Sequence, residues 1–124
     1  ENKGEAVGVT LNHPHGQIYA YPFIPPRIER QIESCREHFT RTGRNLVADI
    51  LSRENDDGRR IVAQNESFTA LIPFFARYPY ELHIYPNRHA TCLTDFEANE
   101  IKDLAEILKQ FLMNFKTFWA PPLC

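Results

Sequence analysis

The sequence has no long hydrophobic run. None of its 124 residues belong to an uninterrupted apolar stretch near the roughly 20 residues that a bilayer-spanning helix needs, so no membrane partner is expected. Nor is there an excess of charge of either sign. The 14 basic residues against 16 acidic ones leave a net charge of −2, which builds no surface for a polyanion and gives nucleic acid no support as a partner. Cysteine is scarce: Cys35, Cys92 and Cys124 are far apart, odd in number and form no C-x-x-C pair. That excludes a disulfide framework and makes a reduced, cytoplasmic setting the expected one. Low-complexity segments are absent. So are an initiator Met and a signal peptide, the chain opening Glu1-Asn2-Lys3-Gly4 and stopping at Pro121-Pro122-Leu123-Cys124 directly after a helical pattern. The expectation is a segment of a longer protein. What is present, 43% hydrophobic and 24% charged residues, suits a soluble globular domain with one modest core.

Along the chain, Ala6–Leu11 and Ile18–Tyr21 read as short strands flanking the turn His13-Pro14-His15-Gly16-Gln17. Pro25-Pro26 opens a helix marked by Ile28, Ile32, Cys35 and Phe39, with Gly43 as its stop. Leu46, Val47, Ile50 and Leu51 suggest a further short helix, and Asp56-Asp57-Gly58 a turn. Strands follow at Arg60–Ala63, Phe68–Phe74 and Glu81–Tyr85, the last two joined by an aromatic stretch, Phe75 to Tyr80. Thr94 with Glu97 predicts a capping box, opening a long helix with Ile101, Leu104, Leu108, Phe111, Leu112 and Phe115 on its apolar face. Strands and helices mix without βαβ alternation, so the class is α+β. A strand–strand–strand–helix order beginning near Arg60 leaves room for a repeated module.

The chemistry concentrates at the His-Pro-His-Gly-Gln turn. Two residues apart in an extended segment, His13 and His15 face one side, and Pro14 stiffens the pair. Gly16 permits close approach of a ligand, and Gln17 supplies an amide for an oxyanion. A neutral histidine with one nitrogen held and the other free can attack phosphorus, forming a phosphoramidate that a second acceptor reopens. The plainer alternative is a metal pair or ordinary polar loop content, because a bare H-x-H arises often by chance.

The longer string weighs against that alternative. Glu1-Asn2-Lys3-Gly4, then Gly8-Val9-Thr10-Leu11-Asn12-His13-Pro14-His15-Gly16-Gln17-Ile18-Tyr19-Ala20, resembles the active-site segment of galactose-1-phosphate uridylyltransferases, a branch of the histidine-triad superfamily. The similarity continues through Phe74–Glu81 and Pro86-Asn87-Arg88-His89. The resemblance implies a partial histidine-triad-like antiparallel sheet with flanking helices, residues 1–55 ending a first module and 56–124 beginning a second. It implies that His15 is the nucleophile, taking uridylyl from UDP-glucose and passing it to galactose 1-phosphate. Gln17 would bond the transferred group, and Asn2, Gly8, Val9 and Thr10 would line the UDP-sugar site. His13 matches one of four ligands of a structural zinc, the other three falling upstream. A homodimer at full length is implied as well. Iron is not expected: the place of the family's iron-binding glutamate is Gln31, and Glu29 and Glu33 do not keep that helix face.

Two other readings stay open. One is a related transferase with a different nucleotide or sugar phosphate, the other a catalytically silent nucleotide- or metal-binding module. His83 and His89 are expected to have structural or surface roles, and His38 to be solvated on its helix. The aromatic run from Phe74 to Tyr80 could stack bases, but core and inter-module packing is the favoured reading.

Overall fold

The computed structural model describes residues 18–118, with side chains described as far as Met113. The chain divides into two compact units, Glu1–Glu37 and His38–Cys124.

In the first unit, the strand that the sequence predicts at Ile18–Tyr21 is not formed, and among the described residues no regular element precedes Pro26. A strand exists only through a ladder, and no described strand pairs with this segment; Ile18 is fully exposed, while the rings of Tyr19 and Tyr21 stack at 6.3 Å. Helix α1 (Pro26–Thr42), whose residues from His38 onward belong to the second unit, starts where the prolines predict, Pro25 lending its carbonyl to the amide of Glu29 at 3.0 Å. It stops at Gly43, whose φ of 70° is the left-handed conformation of a helix C-cap. The apolar marks behave differently from a core face: Ile28, Ile32 and Phe39 are 45%, 42% and 61% exposed, and no residue of α1 is buried.

The second unit holds the sheet. Helix α2 (Leu46–Asp57) is capped by Asn45, whose Oδ1 accepts from the amides of Val47 at 2.9 Å and Ala48 at 3.1 Å. It runs longer than the short helix predicted, because Asp56-Asp57-Gly58 closes it rather than forming a separate turn. Gly58 takes φ 69° and returns its amide to the carbonyl of Glu54. Strands β1 (Ile61–Gln64), β2 (Phe68–Leu71) and β3 (His83–Pro86) form one antiparallel sheet in the order β1-β2-β3, which bears out the α+β class. Phe68 lies opposite Pro86 and Leu71 opposite His83. The second predicted strand ends at Leu71, three residues early, since Pro73 has no amide for a ladder. Between β1 and β2, Asn65 accepts from the amides of Ser67 and Phe68 and donates to the carbonyl of Asp103, tying the hairpin to the helix that follows.

Helix α3 (Ala98–Phe118) begins later than Thr94 predicts. Thr94 lies inside a 3₁₀ turn, Leu93–Asp95, because the Asp95 carboxylate gathers the amides of Thr91 and Cys92 and the Thr91 hydroxyl at 2.7–3.1 Å. Capping of α3 itself comes from Glu100, whose Oε2 accepts from the amide of Glu97 at 2.8 Å. The buried line of α3 is Leu104, Ile107 and Phe111, packed on Phe68 and Ala70 of the central strand. Phe96 meets Phe68 edge-on at 5.3 Å. This corrects the predicted face: Ile101, Leu108 and Leu112 are 55%, 43% and 59% exposed, and Ile107 takes a place not assigned to it. The apolar arc of α3 is wider than the strip of sheet it meets, so only one of its two apolar lines is covered here. The side chain of Phe115 lies outside the described residues.

Candidate functional site

Asn2, Gly8, Val9, Thr10, His13, His15 and Gln17, the site residues that the sequence predicts, all lie outside the described residues, as does the predicted strand Ala6–Leu11. The described part contributes the second unit's polar groups, and these gather on the sheet face away from α3. Alternation along the strands puts Phe68 and Ala70 toward α3, and sends Thr69 and Leu71 the other way. Thr69 is fully buried there, its hydroxyl 2.8 Å from Asn87 Oδ1 and accepting from Gln64 Nε2 at 3.0 Å. Gln64 also donates to Asn55 of α2, and Asn87 donates to the carbonyls of Asn65 and Glu66. Glu54 of α2, whose side chain is 3% exposed, accepts from Arg60 Nε at 2.7 Å. Among the described residues no buried side-chain nitrogen or oxygen lacks a partner. A network satisfied from within fixes the docking of α2 on the sheet, and leaves none of its buried donors or acceptors open for a ligand.

Glu81, His83 and Tyr85 continue this face. His83 Nε2 is 2.9 Å from Glu81 Oε1, and His83 Nδ1 is 2.9 Å from Tyr85 Oη. The amide of Arg77 and the imidazole of His83 hold the Glu81 carboxyl down to about 2, and burial pushes the Tyr85 phenol up. His83 therefore has the structural role that the sequence suggests, whereas His89 is exposed. His38 departs from expectation: its side chain is 14% exposed, and Nε2 sits 2.7 Å from Asp49 Oδ2, which Arg44 also contacts at 3.1 Å. The hydrogen bond from His38 leads the effects that lower the Asp49 carboxyl. A spacing of eleven residues between two helices carries no sequence signal, which is why His38 reads as solvated. The aromatic stretch takes no part in the core of the described residues, since Phe74, Tyr78 and Tyr80 are 68%, 69% and 58% exposed, and inter-module packing is the part of the expectation left to it.

A cleft of about 820 Å³ runs between α2 and the segment after β3, its walls formed by Val47, Ala48 and Leu51 on one side and Pro86, His89 and Ala90 on the other. Arg88 also borders it, with the guanidinium drawn to Glu100 at 2.5 and 2.7 Å. Arg88 and the amide of Glu97 bring the Glu100 carboxyl from 4.5 down to about 2. Glu100 therefore supports the fold above pH 4.5, and that support is lost as pH falls toward about 2. The expected result is that Glu100→Gln lowers the urea midpoint at neutral pH and leaves it unchanged at pH about 2. Equal loss at both pH values would remove Glu100 from the acid-sensitive set. Among the described residues, no group of three His, Cys, Asp or Glu side chains is placed to hold a metal ion.

Comparison with known proteins adds what the geometry lacks. Residues 31–120 match the family model for the galactose-1-phosphate uridyl transferase C-terminal domain, and residues 1–25 match that for the N-terminal domain. The chain belongs to the galactose-1-phosphate uridyl transferase family. It is 46% identical over 109 residues to the galactose-1-phosphate uridylyltransferase of Thermotoga maritima, covering 88% of this chain and 34% of that one. The Streptomyces lividans enzyme of the same name is 36% identical over 93% of this chain and 32% of its own. A solved uridylyltransferase structure superposes with a TM-score of 0.80 at 42% identity, covering 87% of this chain and 35% of that one. The chain thus spans about a third of the length of the relatives it matches. The α+β reading and the resemblance drawn from the first motif both agree with these matches.

Proposed function

We propose that this chain forms part of a nucleotidyltransferase that exchanges uridylyl between UDP-glucose and galactose 1-phosphate. The observation that carries the reading is the N-terminal family match over residues 1–25, the stretch that contains His13-Pro14-His15-Gly16-Gln17. In the proposed mechanism a nitrogen of neutral His15 attacks the α-phosphorus of UDP-glucose. The bond from phosphorus to the β-phosphate oxygen breaks, and glucose 1-phosphate leaves with its electron pair. The uridylyl-histidine is then opened by the phosphate oxygen of galactose 1-phosphate, which restores His15 and yields UDP-galactose. Double displacement suits histidine because the phosphoramidate is reactive enough to be reopened.

Gln17 would donate its amide to the non-bridging oxygens as charge gathers on them, and Asn2, Gly8, Val9 and Thr10 would line the UDP-sugar. His13 would supply one nitrogen to a structural zinc, which asks for four ligands. The described residues offer no three-ligand cluster, so the rest of that set is assigned outside them. The zinc would stiffen the turn rather than enter the reaction. The module division at 55/56, a homodimer and a cytoplasmic location complete the proposal.

The experiment is to incubate protein of the relatives' length with UDP-glucose labelled in the uracil ring, quench, and map the label. Label on the peptide containing His15, acid-labile and discharged by galactose 1-phosphate, is the expected result. Label elsewhere, or direct transfer with no labelled protein, would overturn it. Gln17→Ala is expected to slow transfer by roughly 100-fold, an oxyanion donor being worth about 3 kcal/mol. An unchanged rate would take Gln17 out of the site.

A further inference from the structure

Glu81, His83 and Tyr85 alternate along the chain with Leu82 and Ile84, which pack toward the core cluster. The three polar side chains therefore share the opposite face, joined end to end by the two 2.9 Å contacts at His83. The second oxygen of Glu81, Oε2, reaches back and accepts from the amides of Arg77 at 2.8 Å and Tyr78 at 3.4 Å. Within the loop so tied, Tyr80 takes φ 63°, a left-handed conformation that is costly for a residue with a bulky side chain. Phe75, at the loop's start, packs edge-on against His83 with ring centroids 5.6 Å apart.

The chemistry sets the direction of the hydrogen bond to Glu81, and the charge of the ring sets that of the other. A carboxylate only accepts, so the proton on His83 must be on Nε2. With the ring neutral, Nδ1 is a lone-pair acceptor and the hydroxyl of Tyr85 donates to it, whereas an imidazolium would donate from both nitrogens. In that neutral state donation runs one way, from Tyr85 to His83 to Glu81, and the loop amides converge on the same carboxylate. We propose that Glu81, His83 and Tyr85 form a tautomer lock, in which Tyr85 sets the proton of His83, His83 orients Glu81, and Glu81 holds the loop 77–81 in a single strained shape. A strained backbone persists only where its surroundings over-determine it, and this line of bonds supplies the constraint. The ends of the line suit their roles: the Glu81 carboxyl is held down to about 2, and Tyr85 is kept protonated by burial and by the charges of Glu54 and Glu81. The loop is thereby preorganised, with Tyr78 presented to solvent at no further ordering cost.

The test uses the full chain labelled with ¹⁵N. The imidazole nitrogens of His83 are expected to report a protonated Nε2 and an unprotonated, hydrogen-bonded Nδ1; the opposite tautomer, or protons on both nitrogens, would overturn the lock. Amide exchange then measures the loop. Tyr85→Phe keeps the ring and removes only the donor, and it is expected to speed exchange at the Arg77 and Tyr78 amides roughly 10-fold, equivalent to about 1.4 kcal/mol of local opening. Thr69 and Ala70 of the central strand should keep their protection. Unchanged exchange at Arg77 and Tyr78 would mean that Glu81 ties the loop without the rest of the line, which sinks the proposal. If Tyr85→Phe also released the central strand, the tautomer measured in the unaltered chain would still decide.

Discussion

His15→Ala, made in protein of the relatives' length, is expected to abolish uridylyl transfer while UDP-glucose binding is largely retained. Removing a covalent nucleophile costs on the order of 10⁴- to 10⁶-fold in turnover, because the two-step path disappears and nothing replaces its first step. Binding draws on contacts along the whole nucleotide sugar, so its dissociation constant should move by no more than roughly 10-fold, about 1.4 kcal/mol. The two quantities are separable by turnover assays and by calorimetric titration of the inactive variant. Turnover within about a factor of ten of the unaltered enzyme would remove His15 as nucleophile. Loss of binding in step with activity would instead point to a structural role for the His13–Gln17 turn, whereas a His15 that fails to label with UDP-glucose while zinc still binds would favour the reading as a silent binding module.

Phe68→Ala is the expected largest stability change. Phe68 is 2% exposed at the middle of the sheet, it clusters with Ala70, Ile107 and Phe111, and it meets Phe96 edge-on. Truncating a buried phenylalanine costs about 3–5 kcal/mol through lost transfer energy and the cavity left behind. Domains of this size hold only about 5–15 kcal/mol in total, so the variant should sit close to its unfolding threshold. Leu112→Ala makes the contrast, since Leu112 lies on α3 but is 59% exposed. Its cost should be within about 0.5 kcal/mol. Urea unfolding of both variants checks the pair, and equal losses would show that both apolar lines of α3 are covered in solution.

Much of the architecture was legible from local signals. Pro26 and Gly43 bracket α1, Leu46, Val47, Ile50 and Leu51 mark α2, and the runs that became β1, β2 and β3 are short and rich in β-branched or aromatic residues. The misreadings share one cause. Thr94–Glu97 and Cys92–Asp95 offer overlapping caps, and only the positions of the backbone amides chose between them. The strand Ile18–Tyr21 needed a partner that its own residues cannot provide. The link from His38 to Asp49 joins two helices through a separation with no periodic signature.

By itself, the sequence determined the family, and it carries the motif on which the proposed chemistry rests, because a turn such as His13-Pro14-His15-Gly16-Gln17 is contiguous and its spacing is written in the chain. It also determined the class of each main element, since caps, breakers and alternation act within a few residues. Only the tertiary structure decided which apolar line of α3 is buried, that the buried Glu54 pairs with the partly exposed Arg60, and that Glu81, His83 and Tyr85 form one line. Burial and hydrogen-bond direction depend on what stands opposite a side chain, and residues distant in sequence supply that.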